Sequence, residues 1–183
     1  MRQRLPMEWA LLGFLIEEPM HGYDLHQRVK EGLGRVWYMG RSNVYSGLKR
    51  LEDEGRVEAT LEAQGGRPPR KVYEVTPKGE ESFLTWVRAP VSSMQDMRVE
   101  FLAKLYFFHR LGLDRVGDLI GGQESACQKR IDRLERHAER REGQDFDRMV
   151  FDFRRRQIEA ILDWLASCRE VCEQWDGRPA EAR

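Results

Sequence analysis

Cysteine is scarce: three residues in 183, at Cys127, Cys168 and Cys172. An odd, uneven set of that kind argues against a secreted disulfide framework and for a reducing cytoplasm. No apolar run approaches the ~20 residues that span a bilayer. The N-terminus is a short basic stretch followed by WALLGFLIEE. It lacks a continuous apolar segment and a small-residue cleavage site, so no signal peptide is expected. Net charge is also missing, with 31 basic residues balanced by 31 acidic ones. Enzyme signatures are absent as well: there is no phosphate loop, no nucleophile elbow and no HExxH spacing. His21, His26, His109 and His137 fall on separate expected elements. His21 is read as a structural residue at a helix start, packing or capping locally. Cys168 and Cys172 are four apart on one helical face but have no nearby His or third Cys, so they are read as packing rather than as metal ligands. An enzyme, a cofactor and a metal are therefore not expected.

Hydrophobic residues make up 40% of the chain and charged residues 34%, enough apolar material for one ordinary domain or two small ones. The charge is unevenly placed. From Arg35 to Arg50 there are Arg35, Arg41, Lys49 and Arg50 and no acid, and from Ala63 to Tyr73 there are Arg67, Arg70 and Lys71 and no acid. A local basic patch is what phosphate contact requires, whatever the total charge.

Helical spacing of Leu5, Trp9, Leu12 and Ile16 predicts a first helix over 5–17, ended by Pro19. A second runs from His21 to Leu33, with Leu25, Val29 and Leu33 on one face. A third is expected to be capped by Ser42 and to stop at Gly55. The period then changes to two. RVEATLEAQ and RKVYEVT alternate, with the turn-forming GGRPPR between them, which predicts a β-hairpin with a loop longer than a tight turn. Thr76 followed by Pro77 opens a fourth helix, and Ala89-Pro90 with Ser92 and Ser93 marks a boundary.

The second half reads as wholly helical. One helix carries Phe101, Leu105 and Phe108 and ends at Gly112. The next starts near Asp114 and runs to about Glu142. The last spans Phe146 to Trp175, about 45 Å at the helical rise per residue. One of its apolar rows holds Phe146, Val150, Phe153, Ile161, Trp164, Cys168 and Val171. A second holds Met149, Ile158, Leu162, Leu165 and Cys172. Two rows over such a length predict a partner helix in addition to cover within the subunit. Arg154, Arg155 and Arg156 face three directions, and are expected to be solvated or paired with Asp152 and Glu159.

Three helices, a two-stranded wing and a closing helix make a winged helix-turn-helix. On the third helix Val44, Leu48 and Leu51 share a narrow arc that must face the core. The opposite side presents Asn43, Ser46, Lys49 and Arg50, with Tyr45 at its flank, short polar and cationic groups suited to a major groove. In GGRPPR the prolines stiffen an extended tip and point Arg67 outward, which suits a minor groove or its phosphates. Arg70 and Lys71 would follow the backbone.

The stretches LLGFLIEEPMHGYDL (Leu11 to Leu25), SNVYSGLKRLEDEGRVEA (Ser42 to Ala59) and GGRPPRKVYEVTPKGEE (Gly65 to Glu81) resemble the PadR family of transcriptional regulators, in the subgroup with a long C-terminal domain. The resemblance implies a winged helix-turn-helix domain over 1–89, a helical dimerisation domain over 95–176 that could also bind an effector, and a flexible tail over 177–183. It implies a cytoplasmic homodimer that represses genes from a pseudo-palindromic double-stranded DNA operator, with a small, often aromatic, effector in some members and no membrane association. Expected DNA contacts are Arg41, Ser42, Asn43, Tyr45, Ser46, Lys49 and Arg50 from the recognition helix, and Gly66, Arg67, Arg70 and Lys71 from the wing. Expected dimer contacts are Phe146, Val150, Phe153, Ile158, Ile161, Leu162, Trp164, Leu165, Cys168 and Val171. Trp86, Phe153 and Trp164 are the aromatic residues an effector would meet. Gly47 departs from the family pattern: a mid-helix glycine costs about 1 kcal/mol against alanine, and either permits close approach to DNA or is neutral. The alternative is a winged-helix module that docks a protein and does not bind DNA.

Overall fold

A computed structural model of the chain describes residues 7–64, 67–138, 145–172 and 174–175. Helix α1 (Met7–Glu17) buries six consecutive residues, Ala10 to Leu15. The expected one-sided stripe is thus replaced by burial all round, because α2, α3, α4 and β3 all pack against this helix. Leu5 lies outside the described residues.

The chain then makes a two-residue strand, β1 (Met20–His21), before α2 (Gly22–Leu33), which buries Leu25, Val29 and Leu33. Two residues are too few for an alternation, so sequence periodicity could not reveal β1. Helix α3 (Arg41–Asp53) is capped by Gly40 rather than by the expected Ser42, and no side chain bonds its first turn. Its C-terminus closes as a Schellman motif. Gly55 has φ 66°, the Gly55 amide donates to the Glu52 carbonyl, and the Arg56 amide donates to the Leu51 carbonyl.

Strands β2 (Val57–Gln64) and β3 (Arg67–Val75) pair antiparallel from Val57↔Val75 to Gln64↔Arg67, with an irregularity between Glu62 and Gln64. The ladder therefore extends through Pro68 and Pro69, and the connection is residues 65–66 instead of the whole GGRPPR stretch. The prolines fit because β1 pairs with β3 only through Met20↔Tyr73 and His21↔Val72, so the strand has an open edge where they lie. The sheet order is β1-β3-β2.

Helix α4 (Pro77–Arg88) starts as expected: the Thr76 hydroxyl oxygen accepts from the Gly79 amide at 3.2 Å and donates to the Gly55 carbonyl at 2.9 Å. Helix α5 (Glu100–Leu111) supplies Phe107, which packs edge-on to Phe14 and Phe83 at 5.2 and 5.3 Å between centroids. Beside them runs a stack of alternating charge and ring. The Arg56 guanidinium lies 4.9 Å over Trp9, Trp9 stacks on Trp86 at 6.1 Å, and the buried Lys104 ammonium sits 5.0 Å over Trp86 while pairing with Glu100.

The chain divides into two units, Met1–Arg88 with Met97–Phe107, and Ala89–Asp96 with Phe108–Arg183. In the second, α6 (Val116–Ala138) packs along α7 (Asp145–Cys172). The buried Gln123 amide holds the connector by accepting from the Val91 amide at 2.7 Å, and Arg169 on α7 pairs with Glu124 on α6 at 2.7 Å. The row of α7 that is buried is Ile158, Leu165 and Cys172. Trp175, expected in this helix, lies beyond its end with its ring 4.6 Å from that of His109. The tail at 177–183 lies outside the described residues.

Candidate nucleic-acid interface

The burial of Val44, Gly47, Leu48 and Leu51 turns the other side of α3 to solvent. Arg41, Ser42, Asn43, Tyr45, Ser46 and Lys49 are all exposed there. Gly47 is on the core side: a Cβ on it would lie 2.7 Å from Leu11 Cδ1. Its smallness therefore serves contact with α1 rather than approach to DNA.

Two cations expected to face outward are held by acids. Arg50 Nε donates to Glu8 Oε1 at 2.7 Å, so this guanidinium is turned back onto α1. Sequence spacing alone placed Arg50 on the outward face, since Glu8 is remote in the chain. Lys71 donates to both carboxylate oxygens of Glu52 at 2.9 and 3.0 Å. That hydrogen bond pushes the Lys71 ammonium above its ordinary value and ties the wing to the end of α3. Arg70 is exposed and makes no ion pair among the described residues. The backbone of Arg67 opens β3, whereas its side chain and Gly66 lie outside the described residues.

His21 works on the wing rather than as a helix cap. It occupies the N-cap position of α2 without a side-chain capping bond. One ring nitrogen contacts the Lys71 carbonyl at 3.1 Å and the other faces Glu62 at 3.2 Å. Next to it, Gly22 and Tyr23 touch α3. The Arg41 guanidinium lies 5.4 Å over the Tyr23 ring, and a Cβ on Gly22 would be 2.7 Å from Tyr45 Cε1. Between the first turn of α2, helix α3 and strand β3 lies a groove of ≈ 630 Å3. Sequence reasoning missed Gly22 and Tyr23 as part of this surface. The available signal is the PMHGY stretch, where the spacing predicts only the start of a helix at His21.

Residues 11–84 match the Transcriptional regulator PadR-like family, and residues 97–173 match Virulence activator alpha C-term. The negative transcriptional regulator PadR of Bacillus subtilis is 30% identical over 129 residues, covering 70% of this chain and 71% of that protein. The chain belongs to the PadR family of transcriptional regulators. A probable transcriptional regulator of Mycobacterium tuberculosis is similar to this PadR-family chain at 32% identity over 83 residues, 45% of this chain and 44% of that protein. The crystal structure of Bacillus subtilis PadR in complex with operator DNA aligns with a TM-score of 0.46 and 26% identity, covering 92% of this chain and 98% of that one.

Other expected site residues of this PadR-family chain are distributed as follows. Ile158 and Leu165, expected in a dimer seam, are 1% and 0% exposed and already buried within the chain. The exposed large apolar residues of α7 are Phe146, Met149, Phe153, Trp164 and Val171. Val150, Ile161, Leu162 and Cys168 are half-buried. Trp86 is buried, and its indole N–H donates to Glu100 at 2.9 Å. Arg155 and Arg156 pair with Glu159 and Asp152 along their own helix, as expected. Among the described residues no group of three or more His, Cys, Asp or Glu is placed to hold a metal, and no helix is long and apolar enough to cross a membrane.

Proposed function

We propose that this PadR-family chain is a cytoplasmic, dimeric repressor that binds a pseudo-palindromic operator in double-stranded DNA. The observation that carries this reading is the outward face of α3. Arg41, Ser42, Asn43, Ser46 and Lys49 project from a helix whose other side is locked into the core, and Arg70 is exposed on the neighbouring wing strand. A rigid helix offering short polar and cationic side chains reads base edges, while a basic wing beside it binds phosphate. The same helix inserted from two subunits gives an operator with twofold character. The printed name of one relative, the negative transcriptional regulator PadR of Bacillus subtilis, supports repression.

The dimer seam we assign to the exposed apolar stripe of α7. Phe146, Phe153, Trp164 and Val171 fall on one side of that helix, turned away from its buried row of Ile158, Leu165 and Cys172. The half-buried Val150, Ile161 and Cys168 lie between the two rows, whereas Leu162 lies on the far side of the buried one. A small aromatic effector would meet Phe153 and Trp164 and would act by favouring one of two states of the dimer. Trp86 is a poorer candidate for that contact, since its ring is stacked on Trp9.

Fluorescence titration of the protein against its own upstream DNA, at several salt concentrations, tests the reading. One segment is expected to bind far more tightly than random DNA, with affinity falling steeply as salt rises. Equal binding of all segments, with a protein partner captured through α3 instead, would replace it with a docking module.

A further inference from the structure

We propose that the groove between α2, α3 and β3 seats one phosphodiester of the bound strand, held by Tyr23, Tyr45 and Arg70. This rests on the DNA-binding reading above and adds α2 to the contact surface. The chemistry of the walls favours an anion that only accepts hydrogen bonds. The phenol hydroxyls of Tyr23 and Tyr45 can donate, and the Arg70 guanidinium lines the same groove without an ion pair among the described residues. Lys71 adds a second cation, shared with Glu52. Asp24, in the first turn of α2, is the acid of the lining; with Lys71 paired to Glu52, Arg70 is the cation left to meet an anion.

The geometry is held in place from two sides. Tyr45 lies so close to Gly22 that a Cβ there would be 2.7 Å from its Cε1 and 3.3 Å from its hydroxyl oxygen. The phenol oxygen is thus set over the first residue of a 12-residue helix, where the partial positive charge of the helix end also favours an anion. Tyr23 is fixed in turn by the Arg41 guanidinium stacked on its ring. The N-cap residue His21 turns its ring to the wing, leaving α2 without a side-chain capping bond at its start. The groove also lies between the recognition helix and the wing, where a strand passing from the face of one to the face of the other must cross.

The test replaces single phosphates in the operator duplex by neutral methylphosphonates, one position at a time, and measures affinity for the wild type, Tyr23→Phe, Arg70→Ala and Gly22→Ala. One position in each half-site is expected to cost the wild type about tenfold. At that position the penalty should shrink to about threefold or less in Tyr23→Phe and Arg70→Ala, and remain unchanged at other positions. Gly22→Ala should lose the same contact by displacing Tyr45. Tyr23 is 48% exposed, so Tyr23→Phe keeps the fold and the ring under Arg41. Penalties that Tyr23→Phe and Arg70→Ala leave unchanged at every phosphate overturn the assignment while leaving operator binding intact. A wild type that prefers no segment over random DNA removes the DNA-binding reading itself, and this one with it. Inorganic phosphate is titrated as a separate arm. Phosphate that binds the DNA-free wild type at millimolar concentration but not Arg70→Ala, with no methylphosphonate position sensitive to Tyr23→Phe and Arg70→Ala, would make the groove a free-anion site and refute a strand seat; a sensitive position supports the strand.

Discussion

Gly13→Ala and Gly121→Ala are expected to move stability in opposite directions, although both replace a glycine inside a helix. Helix propensity alone predicts a gain of about 1 kcal/mol for either. At Gly13 a Cβ would overlap Phe107 Cε1 and lie 2.6 Å from Phe107 Cζ and 2.7 Å from Phe83 Cε2. Those rings are each 0% exposed and meet edge-to-face at 5.3 Å and 89°. Neither can retreat without moving the other, so the overpacking cost belongs at the upper end of the usual range, about 3 kcal/mol. The net effect is a loss of about 2 kcal/mol, or about 4–8 °C in Tm for a chain of this size that melts as one unit. At Gly121 the nearest atom is Arg169 Nη2 at 3.7 Å, an ordinary contact, so the gain of about 1 kcal/mol survives. Thermal melts followed by circular dichroism decide the matter. A higher Tm for Gly13→Ala would refute the packing of α1 against Phe83 and Phe107.

Arg50→Met should leave the salt dependence of DNA binding unchanged, because its guanidinium is engaged by Glu8. Lys49→Ala should reduce the slope of log affinity against log salt by about one if Lys49 meets phosphate. The Arg50–Glu8 pair is partly exposed, 36% and 15% on the two side chains, so Arg50→Met should cost at most about 1 kcal/mol of stability in a denaturant titration. Phe153→Glu, at a position 62% exposed, should shift the protein to monomer in light scattering without lowering helix content; an unchanged dimer would move the seam elsewhere. Timed alkylation should label Cys168 before Cys127 and Cys172, which are 1% and 2% exposed. Burial, with Cys168 beside it, pushes the Cys172 thiol from an ordinary 9.0 up to about 11. The unfolded chain therefore loses this proton first, and the contribution of Cys172 to stability should be full below about pH 9 and decline between pH 9 and 11. Equilibrium unfolding of the wild type and Cys172→Ala across that range checks the sign.

Legibility differed from element to element. The caps at Thr76 and Gly55 could be read directly, since each depends on a few neighbouring residues. The outward face of α3 was also readable, because Val44, Leu48 and Leu51 leave little choice about which side is buried. The all-round burial of α1 was not, as periodicity cannot count how many neighbours a helix will have. The length of the wing was misjudged because Pro68 and Pro69 read as loop residues, yet they suit a strand whose edge is open at their position. The last helix offered two apolar rows with nothing to say which one α6 would take. The structure gives that place to Ile158, Leu165 and Cys172.

From the sequence alone came the order of the helices and the hairpin, the side of α3 that faces outward, and the family resemblance. Each is encoded in residues close together along the chain, where spacing and local hydrogen bonding determine the outcome. Which cations remain available to a partner was settled only by folding. Arg50 meets an acid 42 positions away and Lys71 one 19 away, while Tyr45 finds its seat on Gly22. Pairings of this sort depend on how separate helices and strands are brought together, and local sequence carries no record of that distance.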